Sequence, residues 1–196
     1  MTASFTVLVP GYARKISENE YAASSNVILI RDSGRTILFD PGIDSSSLFE
    51  SLQKEGLTVF DIDTVFLSHQ HVDHTENAYL FPVARVIGDT GIPMNPQEKF
   101  IPDTQIEIIS TPGHTRSHLS LIIPAEDGRT AAAGDVFWWE DGKEQAMSWE
   151  ALVNIPDPFD EDMNLLKETR GKLLSMVDYV IPGHGKPFRV PSKPAQ

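Results

Sequence analysis

The stretch Ser68-His-Gln-His-Val-Asp-His74 directly follows the apolar run Thr64-Val-Phe-Leu67. The apolar run is typical of a buried strand, so the polar stretch is expected on a loop at the strand end, where rigid backbone holds side chains open to solvent. Alternation along an extended segment directs His69 and His71 to the same side, and two such imidazoles can chelate one metal ion. The Asp-His pair that ends the stretch points elsewhere and can serve a second ion.

Three further apolar runs end in the same way, each followed by a glycine and then a side chain of the kind that ligates metals. The runs are residues 106–110, 130–133 and 179–181, and the side chains are His114, Asp135 and His184. Glycine permits unusual backbone angles and close approach of neighbouring chains, which a crowded site needs. Turn residues and core histidines are the alternative interpretation, but four strand ends presenting seven such groups indicate a site for divalent metals.

Runs and turn signals on either side of these motifs indicate a mixed α/β chain. Strands are predicted at residues 5–9, 26–30, 36–39, 64–67, 85–87, 106–110, 118–123, 130–133 and 179–181, with a hairpin turn at 32–34. Helices are predicted at residues 45–55, near 76–81 and at 160–177. This mix favours a layered α/β domain with sheet packed on sheet and helices outside.

Length and composition are those of an ordinary globular chain, with 196 residues of which 40% are apolar. One domain over residues 1–196 is therefore predicted. No stretch approaches the ~20 apolar residues of a membrane span. The N-terminus does not resemble a signal peptide, so a cytoplasmic location without a membrane partner is expected. The chain has no cysteine, which excludes disulfides and thiolate ligands.

The charge of the chain bears on its partners. Twenty-eight acidic residues against 16 basic ones make a net charge of -12. Phosphate backbones are bound through lysine and arginine, so this balance disfavours nucleic acid and favours a small-molecule substrate. The sequence pattern contains nothing that indicates an oligomeric state.

The motifs resemble those of the metallo-β-lactamase superfamily, whose signature is His-x-His-x-Asp-His. Further landmarks of that family match in the same order, namely Asp40-Pro-Gly42, Thr111-Pro-Gly-His114, Gly134-Asp135 and Pro182-Gly-His184. The runs at residues 133–137 and 182–189 are also similar to small metallo-β-lactamase-domain proteins of animals, a subgroup associated with RNA cleavage. The resemblance implies an αββα sandwich of two packed mixed sheets with outer helices, and a metal site at one edge of the sheets.

The resemblance also implies a role for each motif residue. His69, His71 and His114 would hold one metal ion, Asp73, His74 and His184 a second, and Asp135 would bridge the two. Asp40 would orient a ligand histidine through a hydrogen bond. Two divalent ions are expected, with zinc as the first choice and manganese or iron suited to the same ligands.

The expected activity is hydrolysis by a metal-bridging hydroxide, with Asp73 as a catalytic residue that accepts a proton or orients the hydroxide. The expected substrate is a small ester, thioester or lactone. A phosphodiesterase or ribonuclease of the same fold is one alternative, and a non-hydrolytic di-metal protein, either di-iron redox or ligand-binding, is another. Metallo-β-lactamases proper commonly have a cysteine ligand or lack the bridging carboxylate, so antibiotic hydrolysis is not expected here.

Side chains near the motifs leave two questions open. Four aromatic residues follow the bridging aspartate, and they either form an apolar lid over the metals or pack the core. They are Phe137, Trp138, Trp139 and Trp149. Arg116, Lys186 and Arg189 either bind an anionic group or are simply solvated. His118, just after the third motif, is interpreted as structural and not as a ligand.

Overall fold

A computed structural model describes residues 2–18, 20–92, 95, 97–145 and 147–193. Within these ranges the strands are β1 Ser4–Val9, β2 Tyr12–Ser17, β3 Glu20–Ser24, β4 Val27–Asp32, β5 Arg35–Phe39, β6 Thr64–Leu67, β7 Arg85–Gly88, β8 Glu107–Ser110, β9 Leu119–Ala125, β10 Gly128–Gly134, β11 Tyr179–Pro182 and β12 Phe188–Arg189. The α-helices are α1 Ser45–Lys54, α2 Val72–Thr75, α3 Trp149–Val153 and α4 Met163–Leu174, with 3-10 helices at Val59–Asp61 and Glu76–Leu80.

The strands form two mixed sheets and a separate two-stranded ribbon. The first sheet has the order β1-β4-β5-β6-β7 and the second has the order β12-β11-β10-β9-β8. Among the described residues, β2 pairs only with β3. In the first sheet β5, β6 and β7 are parallel, and in the second β10 and β11 are parallel. The carboxyl ends of β5 and β6 therefore lie at one edge of the first sheet. Those of β8, β10 and β11 lie at one edge of the second, because β9 runs antiparallel to both β8 and β10.

Alternating side chains show how the two sheets pack face to face. In β4, Ile28 and Ile30 belong to a buried cluster that also contains Leu121 and Ile123 of β9, whereas the intervening Leu29 belongs to a different cluster. Successive side chains of a strand point to opposite faces, so one face of each sheet meets the other sheet. The central layer of the core is therefore sheet against sheet.

Helices cover the outer face of each sheet. Leu48 and Leu52 of α1 pack with Leu29 and Leu38 of the first sheet, and α3 and α4 pack with the outer face of the second. The result is an αββα sandwich, as the sequence predicted. The Asp44 carboxylate caps α1 by accepting a hydrogen bond from the Ser47 backbone amide, so an aspartate just before the serines begins this helix.

The predicted strands and the hairpin turn at 32–34 are confirmed to within two residues at each end. The helix predicted near 76–81 is instead the α2 turn at Val72–Thr75 followed by a 3-10 helix. The long helix is shorter than predicted and ends at Leu174. Five elements of the described residues have no counterpart in the prediction, namely β2, β3, α3, β12 and the 3-10 helix at Val59–Asp61. No helix among the described residues has both the length and the apolar composition needed to cross a bilayer.

Candidate metal centre

All the motif residues meet at the edge where the strands of the two sheets end. His69 and His71 follow β6, and Asp73 and His74 lie within α2, whose first residue comes directly after His71. His114, Asp135 and His184 follow β8, β10 and β11. The α2 turn changes the direction of the backbone after the first two histidines. One short stretch of sequence therefore supplies side chains to two neighbouring groups of potential metal ligands.

The seven side chains form two groups. The first contains His69, His71, His114 and Asp135, and the second contains Asp73, His74 and His184. Within each group, one nitrogen or oxygen from every member lies within 4.8 Å of the others. The structure therefore brings all seven predicted residues together, with Asp135 grouped with the first three histidines.

Asp135 lies between the two groups. Its Oδ2 is 3.5 Å from His114 Nε2 and 4.0 Å from His69 Nε2, while its Oδ1 is 3.3 Å from His74 Nε2 and 3.5 Å from His184 Nε2. One carboxylate thus presents a different oxygen to each group. The backbone of Gly183 makes this possible, because a Cβ at that position would collide with Asp135 Oδ1.

Hydrogen bonds fix the outward nitrogen of four histidine rings. The Nδ1 of His74 lies 2.7 Å from Asp40 Oδ2, that of His69 lies 2.9 Å from Ser68 Oγ, and that of His184 lies 3.0 Å from the Tyr12 carbonyl. His114 Nδ1 lies 2.7 Å from Asp157 Oδ2. With Nδ1 donating its proton outward, each ring directs Nε2 toward the cluster, and the lone pair of Nε2 can bind a metal ion once that nitrogen is deprotonated.

The inward atoms have the character of cation ligands. His69 Nε2, His74 Nε2 and Asp135 Oδ1 are buried and lack a hydrogen-bond partner among the described residues. Buried polar atoms are nearly always paired, so unpaired imidazole nitrogens in both ligand groups, with a carboxylate oxygen between them, fit the coordination of divalent ions. The donor set of imidazoles and carboxylates therefore suits zinc, iron or manganese.

Asp40 connects both groups at their base. Its Oδ2 accepts hydrogen bonds from His74 Nδ1 and from Ser68 Oγ at 2.7 Å each, and its Oδ1 accepts one from the Ser68 backbone amide at 2.8 Å. Because Ser68 Oγ donates to Asp40, it accepts from His69 Nδ1. One fully buried carboxylate thus orients His74 directly and His69 through a hydroxyl group.

The sequence analysis did not single out Asp157, although it orients His114. This aspartate lies between Pro156 and Pro158 in the segment that joins α3 to α4, and its side chain is buried. It follows no strand end and no glycine, so the pattern that located the other ligands could not locate it. The flanking prolines, which restrict the backbone, are the one local signal of a fixed carboxylate.

Replacing Asp157 by asparagine is expected to weaken metal binding by about 10–100-fold, the usual effect of losing a residue that orients a ligand histidine. Asparagine keeps the size of the side chain but removes the negative charge that supports His114. Competition with a colorimetric zinc chelator measures the change. Asp160→Asn, in the same segment, is the matched control, and equal affinities of the two variants would contradict the role of Asp157.

His118 is structural, as interpreted from the sequence. The Asp135 backbone amide donates to its Nε2 at 3.2 Å, so its Nδ1 carries the proton and donates to Thr111 Oγ1 at 2.9 Å. Both ring nitrogens are thereby occupied, which leaves no lone pair for a metal. The ring stacks on His69 at 5.0 Å and supports the backbone of Asp135.

Burial and mutual charge determine the pKa values in the cluster. Burial, with other imidazoles around it, places the pKa of His69 well below its usual range. Burial alone would also lower the pKa of His184, but Asp135 and Asp73 outweigh it and raise the pKa to about 9. Burial acts to raise the pKa of Asp135, yet His74 and His184 hold it well below its usual range. Asp135 is therefore anionic at neutral pH, as a metal ligand must be.

Comparison with known proteins agrees with the geometry. A model of the metallo-β-lactamase superfamily matches residues 21–94. Metallo-beta-lactamase domain-containing protein 1 of Xenopus laevis is 32% identical over 95% of this chain and 82% of its own length. The chain belongs to the metallo-β-lactamase superfamily. The mouse protein of the same name is 32% identical over 74% of this chain, and the alignment spans just over half (56%) of its length.

Solved structures share the superfamily fold. A candidate metallo-β-lactamase from Thermotoga maritima superimposes with a TM-score of 0.75 at 20% identity, over 96% of this chain and all of its own. A dizinc quorum-quenching lactonase superimposes with a TM-score of 0.61 at 20% identity, over 84% of this chain and 74% of its own. A di-iron-bound protein has a TM-score of 0.59 at 20% identity, over 91% and 94%. At these identities the likeness shows the metallo-β-lactamase fold alone.

A cavity of about 490 Å³ opens beside the two ligand groups of this superfamily member. Of the four aromatic residues noted in the sequence, Trp138 alone lines it. Phe137 is fully buried in the core, and Trp139 and Trp149 pack against the same core cluster. The aromatic segment is therefore divided between the cavity and the core, so neither of the two sequence interpretations holds for all four.

The three cations noted near the motifs do not border this cavity. Arg116 is exposed, and its Nε lies 3.7 Å from Glu161 Oε2. The guanidinium carbon of Arg189 lies 5.5 Å from the centre of the Tyr179 ring. The backbone of Lys186 makes two hydrogen bonds with the Gln145 side chain, one to its Oε1 and one from its Nε2. These contacts favour the interpretation of solvated surface cations over that of an anion-binding group at the metal centre.

Proposed function

We propose that this chain is a hydrolase that binds two divalent metal ions and cleaves a small carbonyl substrate, namely an ester, a thioester or a lactone. The position of Asp135 between two ligand groups is the observation that carries the proposal. A carboxylate that presents Oδ2 to one group and Oδ1 to the other is suited to bridging a pair of ions.

Each residue of the metal centre has a proposed role. In this proposal His69, His71 and His114 hold one ion, Asp73, His74 and His184 hold the other, and Asp135 serves both. When bound, such a pair of ions lowers the pKa of water and polarises the electrophile. Asp40, Asp157 and the Tyr12 carbonyl keep the imidazoles oriented, so little reorganisation is needed when substrate arrives.

Asp73 is the member of the ligand set best placed to act on the reacting water. Its side chain is 19% exposed and borders the cavity, whereas the Asp135 side chain is 7% exposed. Its Oδ2 lies 3.2 Å from His184 Nε2. Asp73 therefore accepts a proton or orients the water from the cavity side, while Asp135 stays beneath it.

Zinc is the proposed metal. Imidazole and carboxylate oxygen are ordinary zinc ligands, and the dizinc lactonase with the same fold supports this choice. The di-iron-bound protein of the same fold makes iron the second choice. Metal analysis of the purified chain decides between them, since an iron centre also absorbs visible light.

The charge around the cavity favours a carbonyl substrate over a phosphodiester. No lysine or arginine is among the described residues that line it. Phosphate recognition depends on such cations, and the net charge of -12 opposes binding of a nucleic acid as a whole. A small carbonyl compound needs no counter-ion beyond the metals themselves.

The chain loaded with zinc, and separately with manganese or iron, is expected to hydrolyse p-nitrophenyl esters, a thioester or a lactone and not bis(p-nitrophenyl) phosphate. Asp73→Asn, assayed at metal concentrations high enough to keep the site occupied, is expected to lower kcat by about 100-fold or more. Glu50→Gln on the exposed face of α1 is the matched control. Turnover of the phosphodiester alone would replace this proposal with the nuclease alternative, and metal binding without turnover of any substrate would favour the non-hydrolytic one.

A further inference from the structure

We propose that the cavity beside the metal centre binds an apolar, uncharged acyl group, so that the preferred substrates are esters or thioesters of hydrocarbon acids. The inference rests on the proposed hydrolase function and adds the class of substrate to it. It comes from the apolar walls of the cavity, chiefly the ribbon of β2 and β3, which supplies none of the seven ligand side chains.

The cavity has a polar floor and apolar walls. His71, His114, Asp73, Asp135 and His184 form the floor. The ribbon formed by β2 and β3 is one wall, and the other wall residues come from four separate segments of the chain; together they are Tyr12, Ala13, Tyr21, Ala22, Ala23, Ile43, Val72, Trp138 and Phe159. A volume of about 490 Å³ falls in the ~300–1,000 Å³ range of sites for small molecules.

Three aromatic rings make the wall continuous with the metal centre. Tyr21 lies edge-on to Phe159 at 5.5 Å and to Trp138 at 6.0 Å, and Trp138 lies 5.8 Å from Phe159. The Trp138 ring is also 6.3 Å from that of His184. Apolar surface therefore begins directly beside a ligand histidine, where the chain of an acyl group would leave the reacting carbonyl.

Several wall residues expose apolar surface that a substrate would cover. Val72 is 58% exposed, Phe159 is 44% exposed and Ile43 is 38% exposed. Apolar side chains converging on one concave site are characteristic of ligand-binding surfaces, because covering them removes apolar area from water. An extended hydrocarbon chain gains from each of these contacts.

No positively charged side chain is among the described residues that line the cavity, whereas an acidic side chain lies close to its wall. The Tyr21 hydroxyl donates to Glu140 Oε2 at 3.1 Å, which brings a further negative charge close to the wall. Arg14 and Lys15 lie on the same ribbon, over the rings of Tyr12 and Tyr21, but neither is among the cavity-lining residues, and Arg14 Nε pairs with Asp141 Oδ2 at 3.3 Å. A carboxylate or phosphate on the substrate would therefore meet no cationic side chain among the residues that line the cavity.

The test is a series of p-nitrophenyl esters from acetate to octanoate, with the monosuccinate as the charged counterpart of the butyrate, assayed on zinc-loaded protein. We expect kcat/KM to rise by about fourfold per added methylene until the cavity is filled. The monosuccinate is expected to be cleaved more slowly than the butyrate. In parallel, calorimetry measures binding of hexanoate and of adipate, which reports on the cavity without any turnover.

Two variants test whether the dependence on acyl-chain length comes from the aromatic wall of the cavity. Phe159→Ala is expected to flatten the dependence of kcat/KM on chain length. Phe60→Ala is the matched control, because it removes an exposed ring that is not among the cavity-lining residues. Hexanoate binding without ester turnover would support the cavity assignment and overturn the hydrolase proposal. Ester turnover that is indifferent to chain length, or that favours the monosuccinate, would overturn the cavity assignment and leave the hydrolase proposal standing.

Discussion

Replacing Asp135 by asparagine is expected to lower ester hydrolysis by about 10²–10³-fold, the scale of losing one aligned electrostatic group at a reacting centre. The variant is also expected to bind one metal ion per chain or none. The asparagine side chain would present an oxygen to one ligand group and an NH₂ group to the other, and an NH₂ group cannot ligate a cation. The negative charge that Asp135 brings to both groups is lost as well.

Metal content by mass spectrometry, together with steady-state kinetics, checks this expectation. Asp127→Asn is the matched control, because Asp127 is exposed in the turn between β9 and β10, at the opposite end of β10 from Asp135. Two ions per chain in Asp135→Asn would show that the carboxylate does not bridge. Unchanged turnover with full metal content would remove Asp135 from the proposed mechanism altogether.

The positions of the ligand residues were predictable because the sequence marks the ends of the strands that they follow. An apolar run, a glycine and a polar side chain recur after β8, β10 and β11, and each run reads as a strand without knowledge of its neighbours. Parallel strands end at one edge of a sheet, so separate motifs had to meet. The sandwich was predicted from the mix of strand-like runs and a few helices, and its αββα form from the family resemblance. The structure agrees, because Ile28 and Leu29 of one strand are buried on opposite faces of the sheet.

The substrate side of the site was not predictable in the same way. The ribbon of β2 and β3 contains Arg14, Lys15 and several small residues, and it packs on neither sheet with a full apolar face. Its position depends on distant contacts, such as Asp141 with the Ala13 backbone amide at 3.2 Å and His184 with the Tyr12 carbonyl. A periodic pattern of apolar residues shows that one face of an element packs against a layer of the core. The ribbon is held instead by a few polar contacts with distant residues, so its sequence has little periodic pattern.

Helix α4 illustrates a second limit of periodicity. Leu166, Leu173 and Leu174 predict its apolar face correctly, but the same pattern gives no sign that Arg170 lies on the inner side of the helix. Arg170 is fully buried. A charged residue on the inner face of a helix is recognisable only when its partners, here backbone carbonyl groups from other segments, are known.

Arg170→Met is expected to lower the free energy of unfolding by about 3–5 kcal/mol, a large part of the ~5–15 kcal/mol that stabilises a typical domain. The Arg170 Nε donates to the Val136 carbonyl at 2.7 Å, and Nη1 donates to the carbonyls of Ile155 and Val153. Methionine fills the space of the side-chain stem but leaves these carbonyl groups without donors. Each buried carbonyl left unpaired costs about 1–3 kcal/mol.

The expected fall in Tm is about 10 °C for a chain of this size, measured by calorimetry or circular dichroism on the metal-free protein. Arg116→Met is the matched control, because that side chain is 87% exposed and its surface ion pair with Glu161 contributes little. Arg170→Lys is expected to be nearly as destabilising as Arg170→Met, since a single ammonium group cannot reach carbonyls that a planar guanidinium spans. A Tm within about 2 °C of the unaltered chain would show that the buried guanidinium is dispensable.

The same substitution is expected to affect the metal centre, because two of the carbonyl groups belong to segments that carry its residues. Val136 directly follows Asp135, and Ile155 precedes Asp157 by two residues. Burial lowers the pKa of Arg170 to about 10, with Asp157 and Asp160 opposing the shift, so the guanidinium remains charged at neutral pH. One cation therefore ties the strand end bearing Asp135 to the segment bearing Asp157. Arg170→Met should weaken zinc binding as well as stability, whereas a loss of stability with unchanged zinc affinity would confine Arg170 to the fold.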